Sequence, residues 1–176
     1  RYGLFGQQPT LMAHCCYTDG EELQLMKKNQ VMVVHCPTSN SNIASGIAPI
    51  RKFMQEGIPV ALGTDVSAGH YVSMLRIIQY AIQVSKLIYA QTRGEMPFLT
   101  LSEAFYLATK SGGSFFGKVG SFEKGYEMDA LIVDDSYLNY DNYTLEQRIQ
   151  RYIYIGDDRD IRVRICRGKV LDEPRM

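Results

Sequence analysis

Three polar residues stand at the carboxyl ends of apolar runs: His14 after Leu11-Met12-Ala13, His35 after Val31-Met32-Val33-Val34, and Asp65 beyond Ile58-Pro59-Val60-Ala61-Leu62-Gly63-Thr64. Imidazoles and a carboxylate delivered to one rim are the groups of a metal-assisted hydrolytic site. An oxygen ligand suits zinc, and the metal lowers the pKa of its water far enough for a weak carboxylate base to take the proton. In parallel α/β barrels such residues collect at the strand ends.

Each of these residues also has a plainer reading. Asp65 could cap the turn that follows it, and a histidine at a strand end is commonly a satisfied structural group. His35 opens the stretch His35-Cys36-Pro37-Thr38-Ser39-Asn40, where it and Cys36 are expected to shape the loop behind the site. Thr38, Ser39 and Asn40 fit either substrate contact or turn chemistry. His70, in a glycine-flanked loop past Asp65, is expected to be exposed. A cysteine nucleophile, Cys16 or Cys36 activated by His14 or His35, is a further chemistry. Neighbours on a strand point to opposite faces, so His35 is poorly placed to activate Cys36.

The elements that must hold these groups alternate. Thr18-Asp19-Gly20-Glu21 has the form of a capping box opening a helix to about Asn29. The run Val31–Val34 is β-branched and apolar on both faces, as in a buried parallel strand. Pro37 ends it, and Thr38 to Ser45 reads as a polar loop. A helix through Ile47, Ile50, Phe53 and Met54 closes at Gly57 before the strand to Leu62. Strand, helix, strand, helix, strand with short links is the pattern of parallel βα units, whose consecutive strands lie side by side. Three strands cannot close a barrel, so their edges should be covered by another polypeptide segment, from the same protein or a neighbour.

Downstream, Val72 to Gln91 predicts a long, well-buried helix broken at Arg93-Gly94. Thr100-Leu101-Ser102-Glu103 is a second capping box, with its helix ending near Gly112-Gly113. From Gly117 the character changes. A turn-rich link leads to a strand over Ala130–Val133 flanked by Asp129 and Asp134, then a helix capped at Thr144, then a hairpin over 161–170 turning at Arg167-Gly168.

Bulk properties narrow the classes. The chain has 176 residues, 45% of them hydrophobic and 22% charged, which is ordinary globular composition. Lys and Arg total 19, as do Asp and Glu, so there is no electrostatic footprint for nucleic acid or an anionic membrane. No apolar stretch is long enough to span a bilayer. Four cysteines, two of them adjacent, form no Cys-x-x-Cys pair and read as reduced thiols of a cytoplasmic protein. The same absence excludes the deaminases built on His-x-Glu and Pro-Cys-x-x-Cys.

Taken together, His14, His35-Cys36-Pro37-Thr38-Ser39-Asn40, Leu62-Gly63-Thr64-Asp65 and the later Gly156-Asp157-Asp158-Arg159 resemble the amidohydrolase superfamily, most closely its guanine deaminase branch. The resemblance implies an α/β fold: the C-terminal part of a (β/α)8 TIM-type barrel, about three βα units, followed by helices and part of a small β-sandwich domain. The division expected is 1–116 for the barrel part and 117–176 for the small domain. It implies a zinc-dependent aminohydrolase converting guanine and water to xanthine and ammonia in purine catabolism. Other branches, a chlorotriazine hydrolase or an adenosine-type deaminase, are the alternatives. A non-catalytic assembly module is the third.

The resemblance also assigns roles. Asp65 matches the carboxylate ending barrel strand eight, which ligates zinc, contacts substrate and carries the proton of the attacking water to the leaving group. His14 matches the strand-six histidine, which contacts substrate and donates a hydrogen bond where charge develops. The family's His-x-His pair of strand one and its strand-five His and Glu have no counterpart here. Zn2+ would therefore need ligands from an N-terminal part outside this chain, and the chain alone should be inactive. The expected partners are a small-molecule purine, the N-terminal barrel half or a second chain, and a second copy in a homodimer, with no nucleic acid and no membrane.

Overall fold

Two short runs of β-branched and apolar residues make the centre of the molecule. The computed structural model describes residues 6, 8–138 and 142–171; residues 1–5, 7, 139–141 and 172–176 of the two expected domains lie outside them. Strand β1 (Thr10–Ala13), β2 (Val31–His35) and β3 (Val60–Leu62) form one parallel sheet in the order β1-β2-β3. Registers Thr10↔Val31 and Val33↔Val60 fix the pairing. Val31, Val33 and Val60 are buried, as expected of strands covered on both faces. The three strands are thus parallel, adjacent and in chain order, as the alternating pattern predicts. Among the described residues the sheet stays open.

Helix α1 (Gly20–Lys28) links β1 to β2. Its capping box sits one residue later than the sequence pattern suggests. The Asp19 carboxylate accepts the Glu22 amide at 2.8 Å, and Glu22 accepts the Asp19 amide at 3.2 Å. Both frames offer a cap and a glutamate three residues on, and the chain adopts the one that buries Leu23 and Met26.

The larger correction concerns Thr38 to Ser45. Pro37–Asn42 is not loop but a short helix, α2, with Pro37 in its first turn. Its residues look loop-like because they are polar, yet Thr38, Ser39 and Asn40 are buried. Ser39 Oγ donates to the Cys36 carbonyl and Ser41 Oγ to the Pro37 carbonyl, so the hydroxyls bond back onto their own turn. Helix α3 (Ile50–Gln55) follows, and Ile47, expected on its apolar face, lies outside it and is exposed.

Helix α4 (Met74–Gln91) starts two residues later than expected and places Ile77, Ile78, Ala81 and Ile82 in the core with Phe53 and Val60. Helix α5 (Leu101–Tyr106) has the Thr100–Glu103 capping box its sequence predicts. It continues as a π-helical turn over Leu107–Ser111. Glu103 also receives the Arg51 guanidinium at 2.7 and 2.9 Å, while Arg51 donates to the Pro97 and Phe98 carbonyls. This pair ties α3 to α5, and the Arg51 hydrogen bonds hold the Glu103 carboxyl at about 2.

The π-helical turn reaches back to the sheet. Ser111 Oγ donates to the Val60 carbonyl at 2.6 Å. Because Val33 N donates to the Pro59 carbonyl and Gly63 N to the His35 carbonyl, alternate groups of β3 face β2, and the Val60 carbonyl points the other way.

Beyond 117 a second sheet forms from β4 (Ala130–Val133), β5 (Ile161–Cys166) and β6 (Lys169–Val170), all antiparallel. The hairpin turns at Arg167 and Gly168, with φ of 50° and 74°, the positive pair that a two-residue hairpin requires. Helix α6 (Leu145–Ile155), capped by Thr144 and Gln147, inserts Ile153 into the main core. Gln79 Nε2 donates to the Ile153 carbonyl.

Candidate active site

The rim where β1 and β3 end brings His14 and Asp65 together. His14 follows the last residue of β1, and its amide still donates to the Val34 carbonyl at 3.0 Å. Its backbone then turns into the left-handed region, with φ of 69° at His14 and 52° at Cys15. Asp65, three residues past β3, has φ of 47°. A left-handed conformation costs a non-glycine residue on the order of 1 kcal/mol. That both candidate residues carry this cost, just beyond the carboxyl ends of parallel strands, marks the rim as a place where side-chain direction outweighs backbone ease.

The resulting geometry is open and polar. His14 Nε2 lies 3.7 Å from Asp65 Oδ2, with the two side chains 41% and 34% exposed. Among the described residues no backbone N–H reaches the Asp65 carboxylate, so the turn-capping reading finds no support. It is the Asp65 main-chain carbonyl that is tied down, by Gly69 N at 2.7 Å. The loop folds so tightly there that a Cβ on Gly69 would come within 2.1 Å of the Thr64 carbonyl and 2.8 Å of Thr38 Oγ1, which only glycine permits.

On its other side the His14 ring is anchored. Nδ1–H donates to Asn40 Oδ1 at 2.7 Å, and Ser45 Oγ donates to the same oxygen at 3.4 Å. Asn40 is buried and belongs to α2, the element that the sequence pattern hides. A second α2 residue, Asn42, donates through Nδ2 to the Ala68 carbonyl in the loop after Asp65 at 2.9 Å. Asn40 is thus placed as a hydrogen-bond partner of His14, a contact that sequence reasoning missed; the available signal was the polar run directly after a buried strand.

The remaining candidates separate from this pair. His35 is buried, its Nδ1 has no partner among the described residues, and burial lowers its pKa to about 3, so it is neutral. Thr38 and Ser39 are fully buried and do not line the opening. His70 is exposed and lies against Tyr71, ring centroids 4.2 Å apart. The cysteine alternative fails on electrostatics. Burial, followed by the nearby Asp65 charge, raises Cys36 to about 11, and burial also raises Cys15 and Cys16. A thiol kept protonated is a poor nucleophile.

An accessible carboxylate oxygen and an imidazole nitrogen are donor types that zinc accepts. Two donors fall short of the three protein ligands of a catalytic zinc site, and no group of three or more His, Cys, Asp or Glu comes together among the described residues. The donor set fits zinc as a portion of a site.

A profile of the amidohydrolase family matches residues 1–171. The chain belongs to the amidohydrolase family. Within that family it is 36% identical over 160 residues to a guanine deaminase of Dictyostelium discoideum, covering 86% of this chain and 35% of that protein. The crystal structure of guanine deaminase from C. acetobutylicum, with guanine bound in its active site, superposes with a TM-score of 0.94 at 53% identity, over 97% of this chain and 41% of that one. An adenosine deaminase from Xanthomonas campestris with bound zinc matches at a TM-score of 0.73 and 26% identity, over 91% of this chain and 36% of that one. The chain therefore spans well under half the length of the amidohydrolases it matches. No helix among its described residues is long and apolar enough to cross a membrane.

Proposed function

We propose that this chain is the C-terminal portion of a zinc-dependent guanine deaminase that converts guanine and water to xanthine and ammonia. The observation that carries the reading is the His14–Asp65 pair at the carboxyl rim of a parallel sheet, in a chain 53% identical to a guanine deaminase over nearly its whole length. In this reading Asp65 holds zinc together with ligands from polypeptide outside this chain, and bound zinc supplies an acidified water. The Asp65 carboxylate would accept the water proton and pass it to the exocyclic amine as the bond between that amine and the ring carbon breaks. The Nε2 side of His14 meets the oxygen on which charge develops.

The same reading makes residues 1–116 part of a barrel that a further polypeptide segment closes, and 117–176 part of a small β domain. The remaining elements of the proposal are a homodimer, a small purine as substrate and the cytoplasm as compartment. Free Cys15, Cys16, Cys36 and Cys166 are in keeping with a reducing environment.

The test is direct. The full-length polypeptide carrying this chain, loaded with zinc, is given guanine, and xanthine and ammonia are measured. Equimolar products that vanish in Asp65→Asn support the proposal. Turnover of adenosine with none of guanine would sink it in favour of the adenosine-type reading, which the Xanthomonas campestris likeness favours.

A further inference from the structure

We propose that Asn40 is the positioning residue of this site, orienting the His14 imidazole so that Nε2 faces Asp65. The inference rests on the reading of His14 and Asp65 as the working pair and adds to it a residue that touches neither substrate nor metal.

Four observations carry it. First, Asn40 is held by its backbone on both sides: its amide donates to the Cys36 carbonyl at 3.1 Å, and its carbonyl accepts from Ser45 N at 3.0 Å. Because α2 follows β2 without a loop, the side chain is referenced to the sheet itself. Second, His14 has no such frame. It sits past the end of β1 with a left-handed backbone and a half-exposed side chain, so its ring depends on a side-chain partner to hold one orientation. Third, an amide oxygen only accepts, so a 2.7 Å contact from Nδ1 to Asn40 Oδ1 requires a proton on Nδ1 and leaves Nε2, a donor only in the imidazolium form of the ring, as the nitrogen directed to the rim. A histidine working through one nitrogen is commonly fixed by a hydrogen bond from the other.

The fourth observation distinguishes this role from ordinary local bonding. Asn40 Nδ2 is buried and has no partner among the described residues. An unpaired buried donor is destabilising, so a side chain present for local satisfaction would use both ends of its amide. Here the oxygen is committed to His14, with Ser45 supporting it from the side.

The experiment compares wild type, Asn40→Leu and Asn40→Asp in the full-length protein labelled with 15N at histidine, the His14 resonances being assigned through His14→Gln. In the wild type, Nδ1 of His14 should show a protonated nitrogen with a slowly exchanging hydrogen. Asn40→Leu should lose that protection, and Asn40→Asp, which restores an acceptor oxygen, should recover it. Guanine turnover should fall about 10- to 100-fold in kcat in Asn40→Leu with KM within about threefold, and return most of the way in Asn40→Asp. A wild-type Nδ1 without a protected hydrogen would overturn the proposal, as would protection and kcat unchanged in Asn40→Leu. The wild-type spectrum decides the matter even if Asn40→Leu does not fold. Should the wild type turn over no guanine, the functional reading falls, while the imidazole spectra still judge Asn40.

Discussion

The parallel and antiparallel sheets of this chain use charge in opposite ways. In the antiparallel sheet and its flanks several charged groups are paired on the surface: Arg162 with Asp134 at 2.9 Å, Arg148 with Asp135 at 2.8 Å, Arg167 with Glu127 at 2.8 Å. Its strands are only partly covered, with Leu131 and Ile132 of β4 more than half exposed. In the parallel sheet β2 and β3 are almost wholly buried, and the carboxylate at its rim, Asp65, has among the described residues only the looser 3.7 Å approach of His14. A charge held by short structural bonds is spent on the fold. A charge left at a rim, on a strained backbone and beside a histidine, remains available to a ligand.

The strongest way to break this contrast is at Asp65. Asp65→Asn in the full-length protein should lower guanine turnover by about 10²- to 10⁴-fold, because an amide cannot accept the water proton, and should lower zinc content measured by elemental analysis. Near-normal turnover with full zinc would remove the distinction between the two sheets. His14→Ala should cost roughly 10²- to 10³-fold in kcat while zinc stays bound, separating the hydrogen-bonding partner from the ligand.

His35 sharpens the contrast through pH. Its folded pKa of about 3 lies below the ordinary 6.5, so the unfolded chain binds the extra proton between those values. Its contribution is fully present above about pH 6.5 and is lost as pH falls toward 3, roughly 2 kcal/mol between pH 7 and pH 5. His35→Gln should flatten that part of the acid profile in thermal or urea unfolding.

The smallest effect is expected in the antiparallel sheet. The Ser136 hydroxyl and the Arg162 guanidinium hold Asp134 at about 2, yet the pair is solvent-exposed. Arg162→Ala should leave turnover unchanged and move Tm by less than about 2 °C. A tenfold loss of activity would show that the second sheet reaches the chemistry after all.

The sequence announces the parallel sheet because burial on both faces demands β-branched runs, and it announces α5, α6 and the β5–β6 hairpin because Thr100, Thr144 and the Arg167-Gly168 turn have chemistry specific to their positions. It also points to His14 and Asp65 as polar residues at the ends of apolar runs, but the same signal marks His35, which is buried, so position alone does not separate the two kinds. Helix α2 was illegible for a physical reason. Its stability comes from tertiary burial and hydroxyls bonding back to the turn, and neither leaves a hydrophobic period in Pro37-Thr38-Ser39-Asn40. The Asn40–His14 contact was hidden with it. The one-residue shift at Asp19 was equally out of reach, because two frames satisfy the same local motif and only packing of Leu23 and Met26 chooses between them.

The bond from Ser111 to the Val60 carbonyl has a meaning beyond the chain itself. It engages a main-chain acceptor on the outer border of β3. A strand laid alongside β3 there has to share the Val60 carbonyl with the Ser111 hydroxyl or pair without it, so the π-helical turn at Leu107–Ser111 competes with strand addition at that position.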